Sequence, residues 1–164
     1  MDKSPRSGRI GIELSRDYFT FSAAHFAQLE DGTSEALHGH NFAITVRVER
    51  ETSANGYVVD FSHVKSAVLS ITRALNHRVL LPRDATRVLI STSANEIEVN
   101  ADGNRYVFPA SDVALLPVKN TTCEELASYV GTSLVPCLPK ARISVKIEES
   151  PAQGAYWIST DASC

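Results

Sequence analysis

From Ile10 the apolar residues alternate as Ile10, Ile12 and Leu14, and the parity then switches to Phe19, Phe21, Ala23 and His25. Alternation with period 2 predicts a strand, and a bulge near Arg16–Tyr18 accounts for the switch. His38, His40, Phe42, Ile44, Val46 and Val48 predict a second strand that presents all of them on one face. Asn55-Gly56 marks a turn. The period then changes. Phe61, Val64, Val68, Ile71 and Leu75 have the spacing of an amphipathic helix, with Asp60 as its N-cap. Ile97–Val99 and Tyr106–Phe108 around Asp102-Gly103 predict a hairpin. A second helix starts at Thr122, where Thr122 and Glu125 have capping-box spacing. Leu126, Tyr129, Val130 and Leu134 form its apolar stripe, and Pro136 and Pro139 end it. Ile143, Val145, Ile147 and Glu149 share one face of a third strand, and Ala155–Ile158 is a short fourth. This order predicts an α+β fold, a mostly antiparallel sheet with the helices on one face.

Composition narrows the class. A chain of 164 residues has room for one domain, residues 1–164, with flexible tails at 1–8 and 159–164. Hydrophobic residues make up 43% and charged residues 21%, which are ordinary globular values and argue against disorder. The net charge of −3 speaks against a general nucleic-acid binder. No run of apolar residues is long enough to span a membrane, and the first residues lack the apolar stretch of a secretory signal. Cys123, Cys137 and Cys164 are an odd set without CxxC spacing, which fits a reducing cytoplasm.

The chemistry gathers at the histidines. His38-Gly39-His40 on a strand places two imidazoles on one face, about 7 Å of rise apart. His25 ends the preceding strand with the parity of its apolar face, and antiparallel neighbours bring such side chains together. Three imidazoles with one open position make a catalytic zinc site, and nitrogen ligands favour zinc over magnesium or calcium. On spacing alone, two strand histidines with ordinary hydrogen bonds remain an equal alternative.

The surrounding residues add to this. FSAAHF (21–26), LHGHNF (37–42), GYVVDF (56–61), LNH (75–77), TCEELA (122–127) and ESP (149–151) occur in that order. From about residue 12 to 156 the chain resembles the 6-pyruvoyl-tetrahydropterin synthase and 6-carboxy-tetrahydropterin synthase family. The resemblance implies the tunnelling fold: a four-stranded antiparallel sheet with two helices on one face and, at 86–118, an inserted hairpin. It implies that such sheets close into a barrel in a homo-oligomer, a hexamer built as a dimer of trimers, with active sites between subunits. It makes His25, His38 and His40 the ligands of a Zn2+ cofactor.

The departures from the family pattern point to a branch. The pyruvoyl and carboxy enzymes carry a cysteine four residues before the first histidine of the HGH motif; here that residue is Ser34, and Glu35 follows it. This looks like the type III branch, in which a glutamate replaces the cysteine. The segments at 95–109 and 115–122 resemble that branch's longer insert. The resemblance thus implies a lyase that takes 7,8-dihydroneopterin triphosphate to 6-hydroxymethyl-7,8-dihydropterin, a folate precursor, with Glu35 as general base. Without it, Glu35 reads as a solvated loop carboxylate beside Glu30 and Asp31. A pyruvoyl or carboxy product is the rival activity.

Asn76 stands where the family has the aspartate of an Asp-His pair, with His77 retained. An amide can orient an imidazole but supplies no charge, so a weakly catalytic pterin- or zinc-binding homologue is a further alternative. His77 also suits a helix C-terminus without any catalytic role. Glu149 continues an apolar strand face, which is costly unless the carboxylate has partners. A pterin ring with paired N–H donors would satisfy it, and the resemblance makes Glu149 the pterin anchor. Thr122, Cys123 and Glu124 match the family's other pterin-contact segment, with Cys123 where Thr or Ser is usual. Lys65, Arg78 and Lys119 are candidates for the triphosphate. His63 faces solvent by its helical spacing.

Overall fold

The computed structural model describes residues 10–50 and 55–160, so the tail expected at 1–8, and residues 161–164 of the one expected at 159–164, with Cys164, lie outside the described residues. The elements are β1 (Gly11–His25), β2 (His38–Glu49), α1 (Phe61–Leu75), β3 (Arg78–Pro82), β4 (Val88–Thr92) and β5 (Glu96–Ala101). They continue as β6 (Asn104–Pro109), β7 (Val113–Leu116), α2 (Cys123–Leu134), β8 (Arg142–Ser150) and β9 (Gln153–Ile158). The fold is α+β. One sheet has six strands in the order β7-β3-β1-β2-β8-β9, and a separate sheet has three, β4-β5-β6.

The antiparallel centre, β1-β2-β8-β9, is the four-stranded sheet that the alternation predicts. The β1–β2 register moves from Ser15↔Thr45 to Thr20↔Ala43, which is the irregularity expected near Arg16–Tyr18. It restores the apolar parity, so Ile12, Leu14, Phe21 and Ala23 all pack on the core side. Ser159 continues β9, its N–H donating to the Ile143 carbonyl at 2.8 Å. The sheet is wider than the sequence pattern predicts, because β3 and β7 extend it by parallel pairing beside β1. The expected hairpin is present as β5–β6, closed by Asp102 (φ 48°) and Gly103 (φ 78°), but β4 pairs with it to make three strands.

Both helices cover one face. Val64, Val68 and Leu75 of α1 and Leu126, Val130 and Leu134 of α2 are fully buried with Phe21, Phe42, Ile44, Val145 and Ile147. Burying each such large side chain is worth roughly 1.5–3 kcal/mol. Asp60 caps α1, accepting from the Ser62 N–H at 2.8 Å. Two helix details differ from expectation. Phe61 is 56% exposed, and Thr72 is buried in the α1 stripe instead. Phe61 is the first residue of α1, where the stripe has not yet reached the sheet. At α2, Thr122 is the N-cap residue but makes no side-chain cap bond. Glu125 accepts instead from the Lys119 N–H, because the chain before the helix turns back towards it.

A second core lies under the three-stranded sheet. Val88, Ile97, Val99 and Ala101 pack there with Leu81 and with Phe26, the residue after His25. Leu37, the residue before His38, packs against the same cluster. Both cores therefore meet at the ends of β1 and β2 where the histidines stand.

Candidate active site

Pairing of β1 with β2 sets His25 opposite His38, and Ala23 opposite His40. The three imidazoles project from the same sheet face as Phe42, beside the start of α2. Their ring centroids are 4.6 Å (His25–His38), 5.3 Å (His25–His40) and 4.8 Å (His38–His40) apart. One ring nitrogen from each falls within 4.8 Å of the others. Phe42 lies beneath, with its ring 5.4 Å from His25 and 5.6 Å from His40.

The hydrogen bonds orient the rings. His25 Nδ1 lies 2.9 Å from the Thr121 carbonyl, and His38 Nδ1 lies 2.8 Å from the Ala36 carbonyl. A carbonyl can only accept, so each Nδ1 carries the proton and each Nε2 keeps its lone pair. His25 Nε2 is buried with no partner. Burial also pushes the His25 pKa below 6.5, which favours the neutral, metal-binding imidazole. A buried lone pair aimed into a cluster of like donors is costly when unpaired, and a cation satisfies it. The donor set fits a zinc ion: nitrogen ligands, neutral, oriented by backbone carbonyls, with room for a further ligand.

These histidines line a cavity of about 260 Å³ with Glu35, Thr122, Cys123, Glu124 and Glu149. Residues as far apart in the chain as His25 and Glu149 thus converge on one site, from the end of β1 and the loop after it, the start of α2 and the end of β8. Glu35 Oε2 accepts from the Ala27 N–H at 3.1 Å, and the Glu35 N–H donates to the Ala27 carbonyl at 2.9 Å. Cys123 Sγ donates to Glu149 Oε2 at 3.5 Å. Burial, followed by the charge of Glu149, pushes the Cys123 thiol up to about 12. It stays protonated at neutral pH and serves as a hydrogen-bond donor, not a nucleophile.

Asn76 and His77 are not in this cavity. His77 lines a neighbouring one of about 510 Å³ with Ser22, Gly39, Asn41, Arg78 and Asp112, and His40 alone lines both. Asn76 Oδ1 accepts from the Ser22 N–H at 2.9 Å, tying the end of α1 to β1. His77 takes a left-handed backbone (φ 57°) and is exposed. Of the phosphate candidates, Arg78 lines that second cavity; Lys65 and Lys119 line neither. His63 is exposed as expected, with Nε2 2.8 Å from the Cys137 carbonyl.

The family described as 6-pyruvoyl tetrahydropterin synthase matches residues 13–158, nearly the whole chain. The chain belongs to the 6-pyruvoyl tetrahydropterin synthase family. A Methanocaldococcus jannaschii protein proposed to be a 6-carboxy-5,6,7,8-tetrahydropterin synthase is 30% identical over 144 residues, which is 84% of this chain and 88% of that one. The dihydroneopterin monophosphate aldolase of Pyrococcus furiosus is 43% identical over 61 residues, 37% of this chain and 51% of that one. A 6-pyruvoyltetrahydropterin synthase of Plasmodium vivax superposes with a TM-score of 0.86 at 26% identity, covering 93% of this chain and 99% of that one. Two of its solved structures are variants in which a catalytic glutamate is replaced, by alanine in one and by cysteine in the other. Family membership makes this chain an enzyme of tetrahydropterin-type chemistry with the tunnelling fold.

Two residues that the sequence pattern does not single out hold the candidate site together. Asn120 Oδ1 accepts from the N–H groups of Gln28 (3.0 Å) and Thr121 (2.9 Å), and its Nδ2 donates to the Gln28 carbonyl at 2.9 Å. Thr121 is fully buried, and its hydroxyl donates to the Phe26 carbonyl at 2.9 Å. Together they fasten the start of α2 to the end of β1 and aim the carbonyl that orients His25. Neither falls on a periodic stripe, so only their bonding identifies them. Asn120→Ala leaves backbone groups of Gln28 and Thr121 without partners, a cost of about 1–3 kcal/mol. Because the His25 ring loses its fixed orientation, zinc affinity should fall about 10- to 100-fold. Thermal unfolding together with a chelator-competition titration checks both effects.

Proposed function

We propose that the chain is a zinc-dependent lyase that cleaves the side chain of 7,8-dihydroneopterin triphosphate to release 6-hydroxymethyl-7,8-dihydropterin, a step of folate-type pterin biosynthesis. One observation carries this reading: Glu35 shares the cavity with the three histidines, while the thiol in that cavity, Cys123, is held protonated by its burial and by the charge of Glu149. The replaced catalytic glutamate of the Plasmodium vivax enzyme supports the same role for Glu35.

His25, His38 and His40 would hold the zinc, which supplies Lewis-acid polarisation of the substrate's side-chain hydroxyls when bound. Glu35 takes the proton of the hydroxyl on the second side-chain carbon. The bond between the first and second carbons breaks as that oxygen becomes an aldehyde. The electron pair passes into the dihydropterin ring, and a proton returned to the first carbon completes the hydroxymethyl group. The other product is a phosphorylated two-carbon aldehyde, and no oxidant or reductant is consumed. Glu149 anchors the pterin through paired acceptor bonds. Thr122, Cys123 and Glu124 complete that end of the site, and the uncapped Thr122 hydroxyl is available to the ring.

Asn76 and His77 we assign to the same reaction in a neighbouring copy's site. The cavity that His77 lines meets the histidine cavity at His40 and carries Arg78, whereas the lining of the histidine cavity includes Glu35, Glu124 and Glu149 and no Lys or Arg. The outer strands of the large sheet, β7 and β9, each have an open edge among the described residues, as closure of a barrel between copies requires. A hexamer made of two trimers is the assembly we expect. No helix of the described residues is long and apolar enough to cross a membrane, and the expected partner is the small pterin substrate.

The test is mass-spectrometric identification of the product after the zinc-loaded protein meets 7,8-dihydroneopterin triphosphate. The expected product is 6-hydroxymethyl-7,8-dihydropterin. A 6-pyruvoyl or 6-carboxy product would overturn the assignment of Glu35. An unchanged substrate that still binds would make the chain a binding homologue, with Asn76 as the reason.

A further inference from the structure

We infer that the inserted sheet β4-β5-β6 is the positioning device for the loop that carries Glu35, and that Asp102 at its tip is the residue through which it acts. The loop between β1 and β2 is a small hairpin of its own. Gln28 bridges Ser34, and the Leu29 N–H donates to the Thr33 carbonyl at 2.8 Å. Asp31 accepts from both the N–H and the hydroxyl of Thr33. These bonds stiffen the loop, and the two bonds between Glu35 and Ala27 tie its base to the end of β1, but none of them braces the outer part of the loop.

The insert does that. Asp102 Oδ2 accepts from the Ser34 N–H at 3.2 Å, the residue immediately before Glu35 and 68 positions away in sequence. Arg87, just before β4, lays its guanidinium against Gly32; a Cβ on Gly32 would meet Nη1 at 1.8 Å. The Phe26 ring stacks on Tyr106 of β6 at 5.9 Å, and Tyr106 stacks on Phe108 at 6.0 Å. The root of the loop at Phe26 and Leu37 is thus packed on the insert's core, its far end is covered by Arg87, and its centre is hydrogen-bonded by Asp102. The left-handed Asp102-Gly103 turn is what brings the carboxylate to the loop.

The consequence concerns the proton-transfer step and rests on the reading of Glu35 as base. The metal ligands stand on β1 and β2, and the pterin contacts on α2 and β8, none of which is held by Asp102. Loss of the Asp102 bond should therefore misplace the base while leaving metal and pterin binding intact. Such a misplacement appears in kcat and not in KM.

Two variants test this. D102G removes the acceptor and suits the left-handed backbone; D102N keeps an oxygen at the same place and also tolerates that backbone. With 7,8-dihydroneopterin triphosphate as substrate, D102G should lose about 10- to 100-fold in kcat, with KM changed by less than about twofold. Its zinc content should equal that of the wild type, D102N should recover most of the lost rate, and the Ser34 amide of D102G should exchange hydrogen faster. Wild-type kcat in D102G, failure of D102N to recover, or loss of zinc from D102G would each overturn the inference. E35Q is measured alongside. If E35Q turns over normally, the base reading falls, and the clamp is then judged by exchange alone: an equally slow Ser34 amide in D102G overturns it, and a faster one sustains it.

Discussion

Glu35→Gln should lower turnover of 7,8-dihydroneopterin triphosphate by about 10²–10⁴-fold, the range over which a positioned general base contributes. Glutamine has the length of glutamate and keeps an oxygen to accept from the Ala27 N–H, so the loop retains the bond now made at 3.1 Å. It cannot take a proton at neutral pH. Zinc content should stay at the wild-type level, because the ligands are histidines on β1 and β2. Pterin binding should also persist, because residues 122–124 stand at the start of α2 and Glu149 on β8, not on the loop that carries Glu35. The measurements are kcat, bound zinc by elemental analysis, and pterin affinity by fluorescence titration. Undiminished turnover would remove Glu35 from the mechanism. Loss of zinc or of pterin binding along with turnover would make it a structural residue instead.

His38→Ala should take activity to background and weaken zinc binding by more than about 100-fold. Loss of a residue that merely orients a ligand already costs 10- to 100-fold, and a ligand contributes more than its support. His38 is the better test than His25. His25 is 2% exposed and packs against Phe42, so its removal also opens a cavity. Such a cavity costs about 2–5 kcal/mol when a large buried side chain is cut back to alanine, which confuses metal loss with unfolding. His38 is half-buried at the first position of β2, and among the described residues its ring hydrogen-bonds only to the Ala36 carbonyl two residues before it. The fold should therefore survive, with a change in stability within about 1 kcal/mol. Chelator competition on the purified variant gives the affinity, and chemical unfolding gives the stability. A variant that still binds one zinc per chain as tightly as the wild type would show that the three histidines are not the metal site.

The parts that could be read along the chain are those governed by neighbours in sequence. Alternation from His38 to Val48 predicts β2 because a strand turns successive side chains to opposite faces. The spacing from Val64 to Leu75, with Asp60 as cap, defines α1 for the corresponding helical reason. The Asp102-Gly103 turn and the parity switch after Leu14 are equally local signals. The strands that escape the pattern are short: β3 and β4 have 5 residues each and β7 has 4. In β3 and β7, Leu80, Leu81 and Leu116 belong to strands paired in parallel beside β1, and a partner on that edge leaves little alternation to detect. Capping at Thr122 fails for a related reason: Glu125 has a nearer donor in the Lys119 N–H.

The candidate site divides in the same way. His25, His38, His40 and Glu149 are legible as residue types at telling positions, since metal affinity and acid–base chemistry reside in the side chains themselves, whereas Glu35 stands out only through the family resemblance. Their assembly is a matter of tertiary structure. The β1–β2 register sets His25 opposite His38, β8 carries Glu149 to the cavity, and the Thr121 carbonyl orients the His25 ring from the far side of the chain. The placement of His77 on another cavity is likewise decided by β3 pairing with β1, not by its nearness to any motif. Local periodicity and side-chain chemistry are written in consecutive residues, so the sequence alone determines the longer strands, the helices and the donor types. Register, burial and hydrogen bonds between distant segments are set when those segments pack, and packing alone selects which of the donors meet.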